Sequence, residues 1–323
     1  MSSTNKPRFL INTLKESEKH DGVTLVCCFS RKIFAPYFFE ALKELELPKD
    51  SVHLLVYDNT EDPLLQAELA SQVEKIAPKF RSVRLYKSYL KGRGNITGSG
   101  NEMFKISKLY NIWQMWKKIY VSKGGMIYTS LMFQLEDDTI APPWAYKRLF
   151  QVLEKHPEAA MVTGISTGRN PLPWVPVRLG VHYLKAKGFK ILERHSLNPA
   201  FKGIVEVDCS GVYCFAARTA AFKKGFRNYD PDKYKTPFFG MDNVLTWNIK
   251  KQGYSILADF SVWVSHLDCS GTRILAFSKD QAIEQVDLWI PKFSNYAQGI
   301  EVKKRNQRAR RYQVRKFALS WEI

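Results

Sequence analysis

Three acidic residues, Glu136, Asp137 and Asp138, directly follow an apolar run that predicts a β-strand. The spacing of Glu136 and Asp138 allows both carboxylates to hold Mg²⁺ or Mn²⁺ while the ion binds a substrate diphosphate, because hard cations prefer oxygen ligands. Alternatively, Asp138 or Thr139 caps the helix predicted at 144–156. The residue types alone leave both roles open.

Strand and helix patterns alternate along the chain and place these acids at one edge of a sheet. Apolar runs predict strands at 23–29, 51–62, 82–87 and 126–135. Helical periodicity predicts helices at 36–47, 64–76, 106–121 and 144–156. This order is typical of an α/β fold with parallel strands. Ligands bind at the carboxyl ends of strands in such sheets, so Asp58 is expected on the same rim as the acids.

The order of these features resembles the GT-A nucleotide-sugar glycosyltransferases, particularly their family-2-like group, over roughly residues 22–268. In that family an Asp after the second strand contacts the base, and a DxD-type motif ends the fourth strand. The corresponding segments here are YDN, with Asp58, and LEDDT, with residues 136–138. The resemblance implies a Rossmann-like GT-A fold, in which helices flank a mixed, mostly parallel sheet. It also implies a nucleotide-sugar donor and a Mn²⁺ or Mg²⁺ cofactor.

The second half of the chain extends the resemblance to the acceptor side. VDCSGVYCFAARTAAF, at 207–222, is similar to the family's strand and turn beneath the acceptor, and GMDN to its GED-type segment. Asp242 falls on the family's catalytic acid, with Met241 where the family has Glu. As a base, Asp242 would take the acceptor's proton in an inverting transfer. Its alternative role is the N-cap of the helix that follows.

The resemblance also implies a metal set and a donor set. His266, expected at a strand end, lies where many GT-A enzymes place a histidine that ligates the metal or touches the diphosphate, so the expected ligands are Glu136, Asp138 and His266. The expected donor-binding residues are Asp58, Arg93, Lys108, Asn111, Glu136, Asp137 and Arg273. The basic members of this set would neutralise phosphate charge that develops during transfer.

A net charge of +18 indicates a polyanionic partner, since self-repulsion of this size disfavours a compact state. Residues 301–323 carry eight basic and two acidic side chains, and 167–203 combines basic residues with aromatic ones. Both segments suit a nucleic-acid acceptor, slightly favoured to be a base in DNA, as in phage DNA modification. Docking on an anionic membrane, with a glycolipid or polysaccharide acceptor, is the alternative. No feature indicates an obligate protein partner.

The expected domain organisation is an extension at 1–20, a GT-A domain at 21–300 and a basic tail at 301–323. The GT-A domain would divide into a nucleotide-sugar half, 21–150, and an acceptor half, 151–300. Without a signal-like apolar segment or a long apolar run, a cytoplasmic protein is expected. The five cysteines contain no CxxC pair, which predicts reduced core residues.

Two other classes of protein remain as alternatives. A nucleotidyltransferase would share the sheet and the metal, but its glycine-rich signature after the first strand is missing from CCFSRKIFAPYF. A non-enzymatic nucleic-acid-binding protein would explain the charge but not LEDDT, GMDN or SHLD.

Overall fold

The structure, a computed structural model, describes residues 9–18, 20–29, 34–58, 63–87, 119–120, 126–166, 181–184, 191–193, 203–227, 241–270 and 273–277. Its strands are β1 Phe9–Asn12, β2 Val23–Phe29, β3 Val52–Asp58, β4 Ser82–Lys87, β5 Leu131–Glu136, β6 Thr139–Ile140, β7 Ala159–Ser166, β8 Val181–Leu184, β9 Ile191–Glu193, β10 Ile204–Val207, β11 Cys209–Ser210, β12 Cys214–Arg218, β13 Ser255–Ser270 and β14 Arg273–Phe277. Its α-helices are α1 Ala35–Glu44, α2 Pro63–Ile76, α3 Ala145–Lys155, α4 Thr219–Arg227 and α5 Met241–Lys250. Short 3₁₀ turns occur at Glu16–Glu18 and Ala77–Lys79.

The main sheet has the strand order β1-β4-β3-β2-β5-β12-β7-β13-β10, and β6 and β14 also pair with β13. Strands β2, β3, β4, β5, β7 and β13 run in one direction, whereas β1, β12 and β10 run in the other. A smaller sheet has the order β11-β8-β9. The prediction of a mixed, mostly parallel sheet flanked by helices is therefore confirmed.

The central strands are apolar along their whole length because helices cover both faces of the sheet. Successive residues alternate between two core clusters: Leu25 belongs to the cluster beneath α1, α2 and α3, and Val26 to the cluster beneath α4 and α5. Phe38 of α1 and Leu149 of α3 fill the first cluster, and Phe222 of α4 fills the second. Burial on both faces explains why VTLVCCF has no polar alternation.

Several predicted boundaries differ from the structure. Strand β5 begins at Leu131, because it pairs with β2 from Val23 onwards and earlier residues lie beyond the end of β2. Helix α1 ends at Glu44, and Leu45 is already extended (φ −63°, ψ 124°). Strand β13 continues through His266, which was expected at a strand end, because β6 and β14 provide partners for this extension.

Four free cysteines, Cys27, Cys28, Cys209 and Cys214, are described; Cys28 is partly exposed and the others are buried. The prediction of reduced core residues is thus confirmed for three of them. No α-helix in the described part of the chain has the length and apolar character needed to cross a membrane. The tail at 301–323 lies outside the described residues, and the proposed domain division stays a prediction.

Candidate active site

The chain changes direction across the sheet between β2 and β5. It proceeds from β2 to β3 and β4 on one side, then returns to add β5 on the other side of β2. Ligands of open α/β sheets bind outside the carboxyl ends of strands at such a switch point. Cys28 of β2 lies opposite Glu136 of β5 in the register, so the acidic residues begin at this position.

The acidic residues form a short connection between two strands. Glu136 ends β5 and is partly exposed, whereas Asp137 is 2% exposed and Asp138 is fully buried. Thr139 then pairs with His266 of β13. Two strands therefore hold this connection in place, one on each side.

The structure excludes the capping role for Asp138 and Thr139. Helix α3 begins at Ala145, its N-cap is Trp144, and no side chain forms a capping hydrogen bond there. Thr139 instead belongs to β6. The carboxylates thus sit at the switch point for a reason other than helix initiation.

The negative charge of this connection affects the thiol of Cys27, which is buried within β2. Burial raises the pKa of the Cys27 thiol well above its ordinary value, and the neighbouring Asp137, Glu136 and Asp138 raise it further. Cys27 pairs with Leu135, directly before the acids. This concentration of negative charge would attract a cation to the rim.

The segment 211–213, between β11 and β12, is bonded to the acidic connection. The amide of Glu136 donates a hydrogen bond to the carbonyl of Tyr213 at 3.0 Å. The side-chain amide of Gln134 donates to the carbonyl of Val212 at 2.7 Å, and the hydroxyl of Tyr120 donates to Gln134 Oε1. These groups are buried, so the bonds fix the segment relative to β5.

Tyr213 also joins this segment to β7. Its hydroxyl donates to the carbonyl of Gly164 at 2.9 Å, and the amide of Ser166 lies 3.3 Å from the same oxygen. Burial raises the pKa of Tyr213, so the hydroxyl keeps its proton and remains a donor. Tyr213 therefore fixes the carboxyl end of β7 relative to the acids.

Asp242 lies beside the same 211–213 segment. A Cβ atom placed on Gly211 would lie 3.6 Å from Asp242 Oδ2 and 2.7 Å from the ring of Tyr213. Thr246 anchors α5 to this region, because the amide of Ser210 donates to its hydroxyl oxygen at 3.0 Å. The acidic connection and the Asp242 carboxylate thus both lie next to one segment.

Asp242 is in the first turn of α5 and partly exposed. Since the helix begins at Met241, Asp242 is not the residue that precedes it, and the N-cap alternative is wrong. Its backbone carbonyl accepts a bond from the Thr246 hydroxyl at 2.9 Å, as expected inside a helix. Its carboxylate lies beside Gly211 at the candidate site.

Asp58 reaches the rim but has a buried ionic partner. It ends β3 fully buried, and Lys87 at the end of β4 donates to Asp58 Oδ2 at 2.7 Å. Sequence reasoning missed Lys87, although its position at a strand end, level with Asp58 in the register, was a usable signal. Lys87, held in place by Asp58, is an additional candidate for contact with a phosphate group.

Sequence reasoning also did not identify Gln134 and Tyr213, because only the fold shows which groups they hydrogen-bond. The expected residues Arg93, Lys108 and Asn111 lie outside the described part of the chain. His266 and Arg273 are placed by their backbones alone: His266 lies opposite Thr139, and Arg273 opens β14 opposite Ser270. The pairing brings His266 next to the acidic connection.

The donor chemistry of this rim fits a hard divalent cation, since carboxylate oxygens are its preferred ligands. Among the side chains that the structure describes, no three His, Cys, Asp or Glu residues form a group able to hold an ion. Glu136 and Asp138 remain predicted ligands, and a bound diphosphate would supply further oxygen ligands. Mg²⁺ is commonly held in this way.

Comparisons with known proteins give many similar solved structures, among them the following two. One is the crystal structure of GalNAc-T7 with UDP, GalNAc and Mn²⁺, at 12% identity and a TM-score of 0.49, covering 81% of this chain and 47% of that one. The other is S. aureus TarS 1-349, at 13% identity and a TM-score of 0.41, covering 75% of this chain and 60% of that one.

The chain thus spans about half of the first structure and three fifths of the second. With both TM-scores below 0.5, neither likeness assigns a donor, a metal or an activity to this chain. No protein-family model matches the sequence, and a search of curated proteins finds no match.

Proposed function

We propose that this chain is a metal-dependent GT-A glycosyltransferase, of the family-2-like group, that uses a nucleoside-diphosphate sugar. The observation that carries the proposal is the placement of two sets of carboxylates. Glu136 ends β5 at the switch point, and two further acids follow it directly. Asp242 lies beside Gly211 of the 211–213 segment, to which Glu136 is hydrogen-bonded. One set suits a cation with its diphosphate, and the other suits proton transfer from an acceptor.

The donor half of the site would bind the nucleotide. Glu136 and Asp138 would hold Mn²⁺ or Mg²⁺, with His266 as a third candidate ligand, and the cation would neutralise charge on the departing diphosphate. Lys87, ion-paired with Asp58 at 2.7 Å, lies at the same rim and would donate a hydrogen bond to a phosphate oxygen. Asp58 would act through Lys87 in this arrangement, whereas the family resemblance implied a direct contact with the base.

The acceptor half would carry out the proton transfer. The Asp242 carboxylate takes the proton of the acceptor nucleophile as that nucleophile forms a bond to the anomeric carbon. The bond from the anomeric carbon to the diphosphate oxygen breaks, and the nucleoside diphosphate leaves with the electron pair. A base opposite the leaving group gives an inverting transfer in one displacement.

The acceptor is proposed to be anionic, with a base in DNA slightly favoured. The support is the charge of +18, because a protein with this excess attracts polyanions. A glycolipid or polysaccharide remains the competing acceptor.

Donor hydrolysis tests the reaction without knowledge of the acceptor. The purified chain is incubated with a panel of nucleotide sugars, with Mn²⁺, with Mg²⁺ or with excess EDTA, and release of nucleoside diphosphate is measured. Turnover of at least one donor that EDTA abolishes is expected. Turnover that continues in EDTA would contradict the metal dependence, and no turnover with any donor would favour the non-enzymatic alternative.

A further inference from the structure

Helices α4 and α5 pack closely together on one side of the sheet. A Cβ atom on Gly225 of α4 would lie 2.4 Å from a side-chain carbon of Ile249 and 3.2 Å from the carbonyl of Leu245, both in α5. Only glycine permits this approach without movement of α5. The two helices are therefore in close contact at Gly225.

Two pairs of a lysine and an aromatic ring lie on α4, on α5 and in the short segment that follows α5. Lys224 Nζ lies 5.5 Å from the centre of the Tyr254 ring and 3.2 Å from its hydroxyl. Lys251 Nζ lies 5.5 Å from the centre of the Trp247 ring. Both lysines are exposed, and both rings are partly exposed. We call these four residues the α4–α5 face.

The charge of this region is positive. Helix α4 contains three basic residues and no acidic one, and the segment 241–254 contains two basic residues and one acidic one. Lys250 is neutralised by Asp208 at 2.5 Å and Glu206 at 3.2 Å. Lys224 and Lys251 are the exposed lysines of the α4–α5 face.

We propose that the α4–α5 face binds single-stranded nucleic acid and delivers it to the site; the delivery step rests on the proposed function. Rings beside cations suit this ligand, because bases stack on the aromatic ring while the neighbouring ammonium contacts a phosphate. Trp247 follows Asp242 on α5 by about 8 Å along the helix axis, and Lys251 is the first residue after this helix. The distance of about 8 Å corresponds to about two nucleotides of one DNA strand.

The side chains of the α4–α5 face suit nucleic acid better than a membrane surface. Binding to a lipid surface requires apolar side chains that project into the bilayer interface. The large apolar side chains that are exposed among the described residues are Tyr37, Leu64, Trp144 and Ile204. None of them is on α4 or α5, so the face offers charge and flat rings in place of apolar anchors.

Fluorescence anisotropy with a labelled 20-nucleotide single-stranded DNA tests the proposal. The double variant Lys224→Glu with Lys251→Glu should weaken binding at least tenfold and reduce the salt slope by about 1.4, because each phosphate contact on a single strand contributes about 0.7. The control is Lys147→Glu with Lys155→Glu. It makes the same charge change at two exposed positions of α3, under the opposite face of the sheet, and should weaken binding less than threefold.

A second variant separates stacking from charge. Trp247→Leu should weaken binding about tenfold while it leaves the salt slope unchanged, because stacking releases no counterions. Circular dichroism and the thermal midpoint establish that the variant is folded. An unchanged affinity in a folded Trp247→Leu chain would remove the aromatic part of the proposal.

Several results would overturn the proposal. The first is that the α3 control weakens DNA binding as much as the double variant does. The second is that the wild type does not bind DNA. The third is that the double variant loses binding to anionic vesicles or to an anionic polysaccharide but keeps its affinity for DNA. The binding assay contains no donor. A failure of the proposed reaction would therefore appear in donor hydrolysis alone and leave the DNA result interpretable.

Discussion

Tyr213 holds Glu136 by its backbone: the Glu136 amide donates to the Tyr213 carbonyl at 3.0 Å, while the Tyr213 hydroxyl is bonded to β7. Two residues earlier, Gly211 faces Asp242. The proposed metal ligands and the proposed base therefore share one rigid support. Small changes in this support should alter catalysis before they alter the overall fold.

Gly211→Ala should reduce donor turnover and stability together. The added methyl would lie 2.7 Å from two ring atoms of Tyr213, so the ring or the segment must move. Overpacking of this kind costs about 1–3 kcal/mol of unfolding free energy. Urea unfolding and donor hydrolysis measure the two effects. If the unfolding free energy and the donor turnover both equal the wild-type values, the 211–213 segment can shift at little cost and does not fix the position of Asp242.

Asp138→Asn should abolish donor turnover and preserve the fold, because it removes an anionic ligand at constant shape. Thermal unfolding with and without Mn²⁺ and the nucleoside diphosphate of the donor that the hydrolysis assay identifies provides a second readout. The wild type should be stabilised by the pair of ligands, and the variant should not. Glu154→Gln, at an exposed position of α3, is the control. Equal stabilisation of Asp138→Asn by Mn²⁺ and this nucleoside diphosphate would remove Asp138 from the metal site.

Asp242→Asn should lower turnover with an acceptor by about 10² to 10⁴, the usual contribution of a positioned base. Donor affinity, measured by calorimetry with Mn²⁺ and the nucleoside diphosphate of the donor, should remain unchanged. A parallel loss of donor affinity would instead make Asp242 a donor-binding or structural residue.

Asp58→Asn should destabilise the fold, because it leaves the nearly buried Lys87 ammonium without this counter-charge. Removal of one partner from a buried ion pair costs about 3–5 kcal/mol. Lys87→Met combined with Asp58→Asn should recover much of that loss in urea unfolding. If Asp58 acts only on the nucleotide base, Asp58→Asn will lower donor affinity and leave the unfolding free energy unchanged.

His53 should make stability depend on pH between about 5 and 7.5. Its ring is bonded to the Ser82 hydroxyl and the Asp21 carbonyl. Burial lowers the pKa of His53 below its ordinary 6.5; Arg81 and Arg84 lower it further, whereas the Asp21 carbonyl and Glu18 oppose the shift. As the pH falls through 6.5 the unfolded chain takes up the proton first, so stability is lost until the folded pKa is passed.

The unfolding free energy of the wild type should therefore fall between pH 7.5 and pH 5 by more than that of His53→Gln. His156→Gln serves as the control for the loss of an exposed imidazole. The same pH dependence in His53→Gln and the wild type would show that other groups cause it.

The sequence by itself determined the local elements of the nucleotide half. VTLVCCF and SVRLYK form strands with the predicted bounds, because strands covered on both faces consist of uninterrupted apolar and β-branched residues. The position of the acids at a strand end followed from the same pattern. Their proximity to Asp58 at one rim followed from the parallel direction of the strands.

Only the tertiary structure decided how distant residues meet. Asp242 lies beside Gly211, and Glu136 bonds Tyr213, because β12 inserts between β5 and β7 in the opposite direction. His266 lies within a long strand because β6, a strand of two residues, pairs with it. Such pairings depend on backbone groups that every residue carries, so side-chain periodicity contains no signal for them.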